Sequence, residues 1–416
     1  MNTILGIAGA AVIFYLALHY TLRNHSDRVF VTAAHAVFIL HVAIAVVLLP
    51  LVYAHLGHTW DTGAYHAAAL DVYHGEISSG STAIQSFAII MAILYVIFAP
   101  DMAVASIFNG FVAVLTAIPI AVLAKQLYPD LQRTTGLKLT VLLLPTAVFF
   151  MTIPMRDTVT VFIFFAALAV IAAGLRRQRA SILALSAPLI LLLSIPRMEL
   201  AAVVLLGLVA AVGIQVLDSI TGSTSTTSII SVLGVIGAAG FAVFTQFFFS
   251  IEAANSRMQH RARDGAAYLE GMEIHSWADF LLLAPARAIY FQFMPFPLYV
   301  RNVRDVFVVS SLPVLIAFAI GGILCLWKKR TDWLVAVFLI VTYLGGIVGY
   351  GMINSNFGTT VRHRIPFIYL LAVFATPMIE SVLSWVIDRI QLRPDDQSDK
   401  DSKYDKAEKT NRHRHA

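Results

Sequence analysis

Over 416 residues the chain is 59% hydrophobic and only 13% charged, with a mean hydropathy of +0.79 and a formal net charge of +5. Soluble domains carry about a quarter charged residues, so this composition excludes an ordinary globular domain. The positive charge falls in small clusters between apolar runs, which excludes a nucleic-acid surface and reads as topology signalling, and the single cysteine, Cys325, excludes a disulfide framework or a thiolate metal site.

Apolar runs of roughly 20 residues suit a ~30 Å hydrocarbon core, and their repetition predicts an all-α polytopic transmembrane bundle of about 11 to 12 membrane segments. Residues 1–54 form a helical hairpin, with spans over 3–22 and 29–53 joined by a basic connector from Arg23 to Arg28. The start lacks both a positively charged opening and a small-residue cleavage site, so it reads as a retained helix. Residues 55–82 form an acidic outer loop with an interfacial helix; the loop carries Asp61, Asp71 and Glu76 and has no Lys or Arg. The core bundle, 83–250, holds apolar runs at 83–98, 103–124, 139–153, 158–175, 181–194, 200–217 and 229–249. Basic connectors at 125–138 and 176–179 separate some of them. Residues 251–305 make a second outer loop, ending in an amphipathic aromatic segment from Trp277 to Tyr299 that suits an interfacial belt or a groove for a lipid chain. Spans at 306–327, 333–350 and 366–387 form the C-terminal membrane part. The remainder, 388–416, has eight Lys/Arg and seven Asp/Glu with few apolar residues, and reads as a disordered cytoplasmic tail.

Short loops retain Lys and Arg on the inner face. Placing the basic connectors and the tail inside gives a multi-pass plasma-membrane protein with its N-terminus outside and its C-terminus cytoplasmic. This order requires one net crossing over 83–124, with the break at Pro100-Asp101 marking a re-entrant or interfacial segment. Asp61, Arg156, Asp157, Arg197, Glu199, Arg362 and Arg364 then converge on one outer face, several of them at helix ends beside proline. Charged groups beside membrane spans are costly to place and mark functional sites.

Four arginines on a face that normally loses them suit an anionic ligand such as a lipid phosphate, which guanidinium grips bidentately. Local ion pairing that finishes a helix is the alternative at Arg156-Asp157 and at Arg197 with Glu199. Asp61, beside Trp60 and Tyr65 at a low-dielectric surface, is the candidate general base, its pKa expected to rise toward working pH; it also fits as the N-cap of a helix over 64–73. His58 and Asp61, three apart, would admit a divalent metal, although the crowded histidines 55, 58, 66 and 74 more simply make ordinary hydrogen bonds. No certain cofactor follows, because the chain has no phosphate-cradling glycine loop, zinc signature or serine elbow.

These residues together resemble the GT-C superfamily, the polytopic membrane glycosyltransferases that use polyprenyl- or dolichyl-phosphate sugars. The likeness rests on Asp61-x-x-x-Tyr65-x-x-x-Ala69 in the first large outer loop, on Pro145 followed by Arg156-Asp157, on Arg197, and on Arg362-x-Arg364-x-Pro366. It departs in having a lone Asp61 where many relatives carry an Asp-Glu pair, and in the absence of the soluble C-terminal domain of larger members. The resemblance implies that Asp61 activates a glycan or glycolipid acceptor, that Arg362 and Arg364 hold the lipid phosphate, and that the sugar transfers with inversion at the outer leaflet. A multi-spanning polysaccharide polymerase or ligase, a lipid or glycolipid transporter and a purely structural membrane protein remain competing readings. A transporter would favour internal repeats and mid-membrane polar residues, neither of which stands out.

Overall fold

The computed structural model describes residues 2–56, 61–76, 81–221, 234, 250–261, 268–269, 272–300 and 303–391. The expected span at 229–249 lies outside them except for residue 234, as does the expected tail beyond residue 391. Among the described residues all regular elements are helical. Among the described residues, seven helices are long and apolar enough to cross a membrane, or up to nine if each of two bent pairs is one span. The sequence count is higher because the run at 83–98 is short as a helix, the runs at 181–194 and 200–217 join without a loop across a kink, and the run at 229–249 lies almost wholly outside the described residues.

The chain shuttles between two chemically distinct ends. α1 (Thr3–Leu22) starts on an Asn2 side-chain cap, and α2 (Arg28–Ala43) starts on Asp27, whose carboxylate accepts the Phe30 N–H at 3.1 Å. α2 runs through a π-helical turn, Ile44–Leu48, into α3 (Leu49–Leu56). α4 (Thr62–Tyr73) pairs with α5 (Thr82–Ile97) through a Tyr65–Phe87 ring contact and a His66–Tyr95 hydrogen bond of 2.7 Å. Only the second of the two runs in 83–124 makes a membrane-length helix, α6 (Met102–Leu115) continuing as α7 (Ala117–Leu127). The bend at 98–101 lies against the start of α1, where a side chain at Gly6 would strike the Phe98 carbonyl at 2.5 Å. Of 83–124, only the part within α6 and α7 is thus of membrane length.

α8 (Thr135–Leu143) and α9 (Pro145–Thr152) form one bent pair at 58°, broken where Pro145 starts the second helix. At one end of the bundle, Lys138 meets Asp27 at 2.5 Å, Thr135 donates to the same carboxylate at 2.7 Å, and Arg176 donates to the Lys125 carbonyl at 2.9 Å. We call this the basic end. α10 (Asp157–Arg177) runs to it from the opposite end, and α11 (Ala180–Ala184) turns the chain back.

α12 (Ser186–Thr221) is continuous in its helical pattern but reverses direction at Arg197, whose φ of −150° and ψ of 79° follow Pro196. Its neighbours establish the reversal. Leu183 packs on Gly174 near the end of α10, whereas Arg197 meets Asp157 at the start of α10. Beyond the kink, Val203 and Leu206 face Gly345, and Gly207 faces Thr342. The second half therefore descends antiparallel to the helix that carries those residues. The runs expected at 181–194 and 200–217 are thus two antiparallel halves, although no loop separates them.

α13 (Ile251–Arg261) precedes α14 (Trp277–Phe293), which begins on a Ser276 cap. α15 (Val303–Val309), α16 (Leu312–Lys328) and α17 (Trp333–Ile353) follow; α16 reaches the basic end and α17 leaves it, with the Asp332 N–H bonded to the Leu127 carbonyl at 2.9 Å. α18 (Phe357–His363) leads into α19 (Ile365–Phe374), whose residues are all buried, and α20 (Thr376–Gln391) bends 72° away from it. The expected straight span 366–387 is thus broken after ten residues. Around this core, Ile4, Val96, Leu191, Ile220, Leu282 and Trp327 are each at least 69% exposed, apolar surface that a lipid solvent covers.

The Trp277 to Tyr299 segment divides its faces. In α14, Phe280, Arg287, Phe291 and Gln292 turn inward and Leu281 and Leu282 outward. Phe291 stacks on Tyr350 at 5.7 Å and meets Phe367 edge-on at 5.9 Å, so the aromatic run contributes core as well as an outward apolar face.

Candidate functional site

At the end opposite the basic one, five elements converge. The first is the start of α4. Asp61 has a φ of 60°, in the left-handed region that Asp tolerates better than most residues. Its main-chain carbonyl accepts from the N–H groups of Ala64 and Tyr65, but its side chain makes no capping bond. The backbone does the capping and leaves the carboxylate free, 71% exposed, with Arg362 Nη2 at 3.9 Å. Among the described residues, Asp61 is thus an exposed carboxylate rather than an enclosed one.

The second element is the break between α9 and α10. Pro154 and Met155 interrupt the helix, and Asn109 on α6 holds the interruption by donating to the carbonyls of Ile153 at 2.7 Å and Met155 at 3.0 Å. Asp157 therefore sits in the first turn of α10, where the helix dipole favours a carboxylate. Its side chain is 12% exposed and takes a short charge-assisted hydrogen bond from Arg197 at the α12 kink. Arg362 Nη1 lies 4.0 Å from its other oxygen.

Arg362, on α18, links the two carboxylates. It is 9% exposed, points one nitrogen toward Asp61 and another toward Asp157, and lies 2.9 Å from the Met155 sulfur, while its Nε has no hydrogen-bond partner. Arg156 Nη1 is also buried without a partner, and this guanidinium is close enough to act electrostatically on Asp157 and Tyr65. Burial pushes the Tyr65 phenol above its ordinary value against the pull of Arg156, so Tyr65 presents a neutral hydroxyl to the cluster. Glu199 is exposed and lies beside Arg197 and Tyr350.

The charged groups are three guanidiniums, Arg156, Arg197 and Arg362, and three carboxylates, Asp61, Asp157 and, at the edge, Glu199. Arg197 is committed to Asp157. Arg156 and Arg362 keep donor nitrogens unpartnered, and a buried donor left unmade costs about 1–3 kcal/mol. Unmade guanidinium donors beside an exposed carboxylate suit an oxyanion that carries several acceptor atoms.

Arg364 is placed elsewhere. It is 1% exposed and donates to the main-chain carbonyls of Gln292, at 3.3 Å, and Met294, at the C-terminal end of α14. No carboxylate pairs with it among the described residues. Arg287, fully buried on α14, does the reciprocal thing: it donates to the carbonyls of Gly351 and Asn354 and to Ser355 Oγ, each at 3.0 Å, at the end of α17. α17 and α14 approach closely enough that a side chain at Gly351 would lie 2.8 Å from the Arg287 carbonyl.

Of the residues singled out in the sequence, the structure brings Asp61, Tyr65, Arg156, Asp157, Arg197 and Arg362 into one region, with Glu199 at its edge, and sets Arg364 apart against the carbonyls of α14. Sequence reasoning misses Asn109, Tyr350 and Arg287. A lone Asn inside the apolar run 103–124 and a lone cation inside the aromatic segment were the available signals.

No metal-holding group of three or more His, Cys, Asp or Glu exists among the described residues. His58 lies outside them. His66 and His55 make ordinary bonds, to Tyr95 Oη at 2.7 Å and to the Leu51 carbonyl at 2.8 Å. Fold and composition together define a multi-pass α-helical membrane protein with an arginine–aspartate cluster at one end of its bundle. Comparison of the chain with known protein families, curated proteins and solved structures finds no match.

Proposed function

We propose that this protein is a membrane glycosyltransferase of the GT-C type, moving a sugar from a polyprenyl- or dolichyl-phosphate donor to a glycan or glycolipid acceptor. The observation that carries the reading is Arg362 spanning an exposed carboxylate, Asp61, and a buried one, Asp157, with the Arg156 guanidinium alongside. The arginine cluster faces outside and the basic end faces the cytoplasm, as the distribution of Lys and Arg favours.

In this reading Asp61 takes the proton from an acceptor hydroxyl, and the acceptor oxygen forms a bond to the anomeric carbon. The bond from that carbon to the phosphate oxygen breaks, and its electron pair leaves with the phosphate. Arg362 and Arg156 stabilise the charge that develops there, and attack opposite the leaving group inverts the anomeric centre. Asp157 and Arg197 act as a fixed pair that positions Arg362 rather than as ligands. Arg364 has no part in the donor clamp.

The test is Asp61→Asn in the purified protein reconstituted into liposomes with a radiolabelled polyprenyl-phosphate sugar and an extract of acceptor glycolipids. Loss of a general base lowers transfer by about 100- to 10,000-fold. The exposed position leaves helix content and thermal unfolding unchanged. Transfer at the normal rate in this variant removes Asp61 as the base and leaves the polymerase or ligase reading, which uses outer arginines without a loop carboxylate.

A further inference from the structure

The basic end holds a second site-like feature that the proposed reaction does not use. A cleft of about 410 Å³ opens there between the 128–133 connector, the end of α16 and the first turns of α20. Arg133, Lys329 and Arg330 line it. Of the three, Arg330 alone has an acidic neighbour among the described residues, Asp130 at 4.0 Å, and both of those side chains are largely exposed. The other acidic wall residue, Glu380, keeps its charge while its Oε1 accepts the Leu137 N–H at 2.9 Å. With three cations against two carboxylates in its lining, the cleft is net positive.

α20 settles what kind of surface surrounds it. α19 runs along the bundle, from Arg364 at the cluster end to Phe374, whose carbonyl takes a 2.5 Å hydrogen bond from Tyr128 at the basic end. The 72° bend then carries α20 across that direction. Along α20, Val382, Trp385 and Val386 form an i, i+3, i+4 stripe, 55%, 57% and 37% exposed, and Arg389 stacks over Trp385 at 4.7 Å. An exposed apolar stripe with a tryptophan, closed by a cation, on a helix turned across the spans is the pattern of a helix lying in a membrane interface. The cleft it walls is then at headgroup depth.

We infer that this cleft binds the phosphate headgroup of an anionic phospholipid in the leaflet at the basic end. Arg133 and Lys329 supply the free cations, and α20 lies over the acyl chains beside it. The inference is independent of the reaction proposed for the opposite end.

The experiment counts bound lipid on the full-length protein by native mass spectrometry in detergent, titrating phosphatidylglycerol or phosphatidylcholine of the same acyl chains. Phosphatidylglycerol binds at one saturable position and phosphatidylcholine does not. Removing two surface cations from an anionic-lipid contact weakens binding by about 30-fold, the loss expected for Arg133→Gln/Lys329→Gln. The charge-matched control, Arg177→Gln/Arg179→Gln, replaces exposed arginines at the same end outside the cleft and leaves the affinity unchanged. An equal loss in both variants overturns the inference in favour of diffuse surface attraction. Displacement of the lipid by millimolar inorganic phosphate overturns it in favour of a soluble-anion site.

Discussion

Arg362 and Arg364 stand two residues apart, and both are buried, at 9% and 1% exposure. Arg362 faces two carboxylates, one of them open to water. Arg364 is enclosed by carbonyls at the end of α14, and Arg287 repays the contact at the end of α17. Each of the three keeps one nitrogen without a partner, so an unmade donor does not by itself mark a ligand site. The counter-group does. An arginine whose carboxylate lies beside solvent can exchange that carboxylate for another anion, whereas main-chain carbonyls at a helix C-terminus are fixed and draw the cation in as a permanent cap. Two arginines of one turn therefore have different settings: Arg362 faces carboxylates, while Arg364 ties the start of α19 to the end of α14.

The largest effect falls on Arg364. Arg364→Ala strips the donor from two buried carbonyls and opens a cavity, and costs about 3–5 kcal/mol, read as a fall in the thermal unfolding midpoint in detergent. Arg364→Lys does not restore it, because a single ammonium cannot reproduce the planar fork. A fully stable Arg364→Ala would erase the distinction between the two arginines. Next in size is Asp157→Asn, which leaves Arg197 buried beside a neutral amide and costs about 3 kcal/mol of stability by the same measurement. Arg362→Gln sharpens the contrast from the other side. It shifts the unfolding midpoint little, because Asp157 keeps Arg197, while transfer at low donor concentration falls about 10- to 100-fold. An unchanged dependence on donor concentration counts against the phosphate role of Arg362.

The smallest effect lies at the basic end, in the Asp27–Lys138 pair. Burial works to raise the Asp27 carboxyl, but hydrogen bonds from Lys138 and Thr135 outweigh it and hold the folded value below the ordinary 3.8. A depressed carboxyl contributes stability that is present above its unfolded value and is lost as pH falls through the folded one. Unfolding followed from pH 6 down to about pH 2 therefore shows destabilisation beginning near pH 4. Asp27→Asn flattens that slope and lowers stability at neutral pH.

Much of this architecture was readable in one dimension. The two Lys/Arg-rich connectors and Lys328-Lys329-Arg330 do share an end, and the Pro196-Arg197 corner does turn the chain. The charge pattern asked for one net crossing over 83–124, but hydropathy could not say which run makes it; in the structure only 102–127 is of membrane length, and the bend at 98–101 packs against Gly6. The last span looked straight because hydropathy measures composition and not direction, and Thr376-Pro377 marks a possible break without stating an angle. In the cluster, Asp61 and Arg362 were named from their charge and setting. Asn109 went unnoticed because its function is to satisfy the carbonyls of a loop 44 and 46 residues away, and nothing local signals such a partner.

By itself the sequence determined the solvent. Apolar runs of membrane length must become helices, because only helices satisfy their own backbone groups in lipid, and the basic connectors must share one face. What it left to the tertiary structure was the counter-group of each buried charge. Whether Arg362 meets carboxylates and Arg364 meets carbonyls depends on which helix end packs against which, a contact between distant parts of the chain that local pattern does not encode. The energy of a buried cation is set by those neighbours, and the split between the arginine–aspartate cluster and the carbonyl-bound arginines was decided there.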